Sequence, residues 1–101
     1  MSKHFVIQSR VEEGSTERKA LGTREDILAS LASYNTMPEK EGDDLLWGPG
    51  ICIELPPTED NVQQMLLHLV EEEIAWFPIV RLARQFNWSV TNIETGQELQ
   101  P

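Results

Sequence analysis

The sequence is short of the groups that would advertise chemistry. One cysteine, Cys52, stands in 101 residues, so no internal disulfide can form and no zinc site of several thiolates is available. No window approaches the roughly 18 consecutive apolar residues that a membrane-spanning helix needs. In residues 1–14 the apolar patch extends only from Phe5 to Ile7, among Lys3, Arg10, Glu12 and Glu13, too short for the core of a signal peptide. The expected setting is cytoplasmic.

Positive charge is scarce as well. Eight basic residues stand against seventeen acidic ones, a formal charge of −9. Residues 1–50 hold six basic and nine acidic groups, and residues 51–101 two and eight. Binding to a phosphate backbone or an anionic lipid surface needs clustered cations, so neither nucleic acid nor membrane is an expected partner. The acidity keeps the chain soluble and would suit a basic protein partner.

What remains is ordinary globular material, 40% hydrophobic and 25% charged, in a length typical of one domain spanning residues 1–101. Residues 4–11 alternate, with Phe5, Ile7 and Val11 opposite Gln8 and Arg10, as in a half-buried strand. Residues 12–22 form a polar connection. Thr23 before Arg24, Glu25 and Asp26 is a helix N-cap signal, and Ile27, Leu28, Leu31 and Tyr34 continue at helical spacing, predicting a helix over 24–34. Two short apolar runs around Gly48, Pro49 and Gly50 predict a hairpin, with Ile51, Ile53 and Leu55 on one face of its second arm and Cys52 and Glu54 on the other.

After Pro56 and Pro57, Thr58 with Glu59 and Asp60 reads as a second N-cap. Val62, Met65, Leu66, Leu69 and Val70 form a helical stripe, predicting a helix over 59–70. Pro78 predicts a kink or split between 71 and 78, with helix resuming through Phe86. Residues 88–93 read as a last strand, and Glu94, Thr95 and Gly96 as a turn that folds residues 97–99 back. The resulting order of strand, helix, strand, strand, helix, strand is that of an α+β two-layer sandwich, the ferredoxin-like plait. That superfold is shared by enzymes, binding modules and regulators, and does not specify a function.

Candidate chemistry is sparse. His68 and Glu72, four apart, would share a helix face, but two groups do not make a metal site, and the plait keeps His4 and Cys52 away from them. Cys52 would be a nucleophile only with a histidine beside it to lower its pKa, and its sequence neighbours Ile51 and Ile53 provide no such help. Glu71, Glu72 and Glu73 diverge around a helix and read as a solvated end. The 48–50 turn leads into a strand, whereas a phosphate-binding loop leads into a helix. No catalytic residue, metal site or cofactor loop is assigned.

Trp47, Trp76 and Trp88 are more informative, since tryptophan is enriched at binding hot spots. Trp88 opens a strand and reads as core. Trp47 at the hairpin tip and Trp76 near the expected break are the candidate contacts. The uncovered face of a plait would present His4, Val6, Gln8, Arg10, Cys52, Glu54, Ser89, Thr91 and Ile93. The first expectation is therefore a non-catalytic binding or regulatory module acting through a protein partner or by self-association. The alternative is a small-molecule-binding protein or small enzyme in which His4, Arg10, Glu54 and Thr91 converge on the open face. A further alternative is an acidic inhibitor of a basic protein.

Overall fold

The computed structural model describes residues 4–10, 14, 19–57 and 60–99. Val11, most of the 12–22 connection, and residues 58–59 at the start of the expected second helix lie outside them. The first strand, β1 (His4–Ser9), buries Phe5 and Ile7 and leaves His4, Val6 and Gln8 half-buried, the period of two that a strand imposes. A two-residue strand, β2 (Gly22–Thr23), leads into helix α1 (Arg24–Ala32). The Thr23 hydroxyl accepts a hydrogen bond from the Asp26 N–H at 3.1 Å, and Glu25 and Asp26 sit in the first turn, where the helix dipole favours negative charge.

The short β3 (Met37–Pro38) precedes the hairpin β4 (Leu45–Gly48) and β5 (Ile51–Glu54), joined by the turn read from the sequence. Then come β6 (Asn61–Val62), β7 (Gln64–Leu69), helix α2 (Glu72–Phe86) and β8 (Trp88–Asn92). Six strands form one sheet in the order β3-β4-β5-β7-β1-β8, and β2 and β6 pair as a separate ribbon. Every pairing is antiparallel.

This is not a ferredoxin-like plait. The overturning element is β7, a strand where a helix over 59–70 is expected. Met65, Leu66 and Leu69 satisfy helical spacing, but Met65, Leu67 and Leu69 also alternate, and an apolar run of this length fits both periods. Non-local pairing decides between them, because β7 bonds to β1 on one side and β5 on the other. The second difference is α2, which starts at Glu72 and runs through Pro78 without a break. Proline has no N–H to offer the Ile74 carbonyl and costs about 3 kcal/mol inside a helix. Burial of Ala75, Ile79, Leu82 and Ala83 against the sheet offsets that cost.

Both helices lie on one face of the sheet. Ile27 and Leu31 from α1, and Ala75, Ile79, Leu82 and Ala83 from α2, join Phe5, Ile7, Leu46, Ile51, Ile53, Met65, Leu67 and Val90 in one apolar cluster. The sheet edges are blunted, a standard protection against edge-to-edge pairing. Edge strand β3 has two residues, one of them Pro38. On the outer side of β8 the chain folds back, with Leu99 N–H donating to the Val90 carbonyl at 2.8 Å and Glu98 bridging Thr91. Among the described residues, no helix is long and apolar enough to cross a membrane.

Candidate functional site: the open sheet face

The face turned away from the helices is built by strand register. Directly opposed residues share a face, so the pairings Met37 with Trp47, Trp47 with Cys52, Cys52 with His68, and His68 with His4 align one row across five strands. A second row runs Leu45, Glu54, Leu66, Val6, Thr91, and a third Gln64, Gln8, Ser89. Met37, Leu45 and Trp47 are exposed, Trp47 at 41%, and Ile93 is exposed beyond the end of β8. Val6 and Leu66 are half-buried between them.

The two candidate tryptophans are not brought together. Trp47 lies on this face, whereas Trp76 is half-buried on α2 with its ring edge-on to Phe5 at 5.8 Å between centroids. The α2 helix holds Trp76 on the covered side because no break exposes it. Trp88 is buried, as its place in a strand suggests, and stacks on Phe86 at 4.6 Å.

Arg10, Glu54 and Thr91 do not converge either. The Arg10 guanidinium bonds Glu98 at 3.3 Å and lines a hollow with Lys19 and Phe86. Glu54 lines a different one with Pro56, Gln64 and Leu66. Thr91 is three strands from Glu54, about 14 Å at the usual interstrand spacing, and its hydroxyl lies 3.4 Å from that of Ser89. These groups do not share one hollow.

The row also joins three residues that sequence reasoning keeps apart. His68 is in a strand rather than on a helix face shared with Glu72, so it sits opposite Cys52, with its ring edge-on to His4 at 4.5 Å. Among the described residues, no group of three potential ligands has the arrangement of a metal site. Cys52 is 4% exposed between its neighbours, and burial, with a lesser contribution from the Glu54 carboxylate, pushes its thiol above the ordinary value. That is opposite to the shift an activated nucleophile needs.

Sequence reasoning missed Met37, Leu45 and Leu66. For Leu45 a signal existed: once Cys52 and Glu54 face outward on one hairpin arm, pairing turns Trp47 and Leu45 outward on the other. For Met37 and Leu66 the signal was absent, because their strands are defined only by their partners. Comparison with protein families, with characterised proteins and with solved structures finds no match.

Proposed function

We propose that this chain is a non-catalytic binding module that docks a protein partner on its open sheet face, with Trp47 as the anchor. The carrying observation is that Met37, Leu45 and Trp47 stand exposed on β3 and β4, and Val6 and Leu66 half-buried on β1 and β7, with Glu54 between the two groups, on a face that no helix covers among the described residues. An exposed apolar patch centred on an aromatic residue and rimmed by polar groups is the usual form of a protein-binding site. A flat face also favours a protein over a small molecule, since Arg10 and Glu54 line separate hollows.

The blunted edges leave face-to-face contact as the mode of docking. Six strands and three rows span a flat area of about 24 by 14 Å, under the roughly 800 Å² per partner of a standard interface, so contact on this face alone is of the weak, transient kind whichever protein occupies it. Among the described residues, Glu54 brings the one carboxylate of the three rows, and the chain carries a charge of −9, so two copies also repel. The occupant is a different protein, presenting an apolar patch with a basic group opposite Glu54. A reducing, cytoplasmic setting suits the unpaired Cys52.

Immobilised wild-type protein is tested for capture from native cell extract beside Trp47→Ala and Phe77→Ser. A basic protein retained near stoichiometry by wild type and Phe77→Ser, and lost with Trp47→Ala, is the expected result. Retention that ignores Trp47, or a Trp47-dependent homodimer on sedimentation, overturns it.

A further inference from the structure

A second exposed apolar surface lies on the helix side of the sheet, built differently from the first. Ile74, Phe77, Pro78, Arg81 and Leu82 recur along α2 at the spacing of one helical face. Phe77 is 76% exposed and Ile74 about half. With Tyr34 beyond the end of α1 and Pro49 of the β4–β5 turn, this face encloses a cavity of about 200 Å³.

Its walls are held in place. The Gly50 carbonyl accepts bonds from the Val70 and Glu71 N–H groups at 2.8 and 3.0 Å. Gly50 has φ +72°, and a Cβ there would lie 2.7 Å from the Glu71 carbonyl oxygen and from Ile74 Cγ1, so the turn is pressed against the start of α2. On the other wall the Arg81 guanidinium sits 4.9 Å above the Tyr34 ring, and that ring meets Phe86 edge-on at 5.4 Å.

The C-terminal half of α2 carries positive charge, in contrast to Glu71, Glu72 and Glu73 at its start. Arg81 and Arg84 are the two basic residues of the 51–101 half. Among the described residues, neither meets a carboxylate. Phe77 and Arg81 also border an adjoining hollow of about 340 Å³ with Val80 and Arg84. Phe77 is thus a ridge between two hollows, each with a guanidinium. The first is smaller than the roughly 300–1,000 Å³ of sites for drug-sized ligands, and takes one side chain rather than a cofactor.

We propose that the Phe77 ridge binds an acidic peptide segment of a partner protein, with one bulky apolar side chain in the cavity beside Tyr34 and Pro49 and carboxylates on Arg81 and Arg84. The two hollows favour an extended chain, and the unpaired guanidinium groups in an acidic protein favour carboxylates, which arginine can bind in bidentate fashion. This site is independent of the Trp47 face.

The test is a titration of the uniformly ¹⁵N-labelled full chain, followed by amide shifts, with a blocked pentapeptide of one phenylalanine flanked by two glutamates on each side. Shifts confined to residues 34–35, 50, 74–77 and 79–85 are expected, with affinity falling about tenfold in the Arg81→Gln, Arg84→Gln double variant and falling again with added salt. Both side chains are at the surface, so the double variant is expected to fold, and its unchanged core resonances serve as the check. Trp47→Ala leaves the titration unaltered, which separates this site from the sheet face. No shifts at peptide concentrations of about 1 mM, shifts centred on residues 45–54, equal binding of the lysine-flanked peptide, or equal binding of phenylacetate alone each overturn the proposal.

Discussion

Trp47 and Phe77 both stand out into solvent, yet the surfaces around them have different origins. The Trp47 face is assembled from β3, β4, β5, β7, β1 and β8, whose residues run from His4 to Asn92, and it exists only while every strand keeps its register. The Phe77 surface is mostly one helix and the turns it touches. Slipping β4 by one residue would turn Trp47 inward and Leu46 outward, whereas α2 could shift slightly and keep Phe77 exposed. The first surface is a property of the whole fold and the second of one element.

The largest expected effect contrasts the two faces of a single strand. Ile53 is fully buried, while Glu54 beside it is exposed, so Ile53→Ala should cost about 2–5 kcal/mol of folding stability and Glu54→Ala under about 0.5 kcal/mol. Urea denaturation measures both, and similar midpoints would mean that the faces have been assigned wrongly.

Next in size is the anchor. Trp47→Ala should weaken partner binding by about 2 kcal/mol or more while lowering folding stability by less than about 1 kcal/mol. Calorimetric titration and denaturation of the same variant separate these effects. Iodide gives a quick check, since Trp47 should be the most quenched of the three tryptophans and Trp47→Phe should remove most of that quenching.

A smaller effect probes the helix side. Gly50→Ala puts a side chain into the left-handed region, at a cost of about 1–2 kcal/mol, and against the Glu71 carbonyl. It should also disturb amide shifts at residues 74–82 more than those of residues 4–8. A variant as stable as wild type would mean that the turn does not clamp α2.

The smallest effect concerns Cys52. Its folded pKa lies above its ordinary value of 9.0, so the folded protein binds this proton more tightly than the unfolded chain. The associated stability is complete below about pH 9 and is lost as pH rises through the folded value. Iodoacetamide should alkylate the native protein slowly at pH 8 and the denatured protein quickly, and Cys52→Ala should leave partner binding intact. Rapid native alkylation would return the thiol to consideration as a reactive group.

Local patterns were legible wherever the chain makes its own structure. The Thr23 cap, the β4–β5 hairpin and the alternation of β1 each depend on neighbours within a few residues. The outward set of His4, Val6, Gln8, Cys52, Glu54, Ser89 and Thr91 was also readable, because the period of two holds whichever strands come to pair. The helix over 59–70 failed for the opposite reason: a run rich in leucine and methionine satisfies two periods, and nothing local to Gln64–Leu69 distinguishes them. Trp76 is half-buried and edge-on to Phe5 rather than beside a break, because α2 continues through Pro78 with Ile79 and Leu82 buried.

By itself the sequence determined the charge of −9, the lack of a disulfide, the capped start of α1 and the side on which each β1 and β5 residue falls, since these follow from composition and from backbone periodicity. Tertiary structure alone decided that Gln64–Leu69 is the strand between β5 and β1, and hence that His68 lies opposite Cys52. It also decided that both helices share one face, leaving Trp47 uncovered. Those outcomes depend on hydrogen bonds and apolar burial between segments far apart in the chain, whose free energy outweighs the weak preferences of any short stretch.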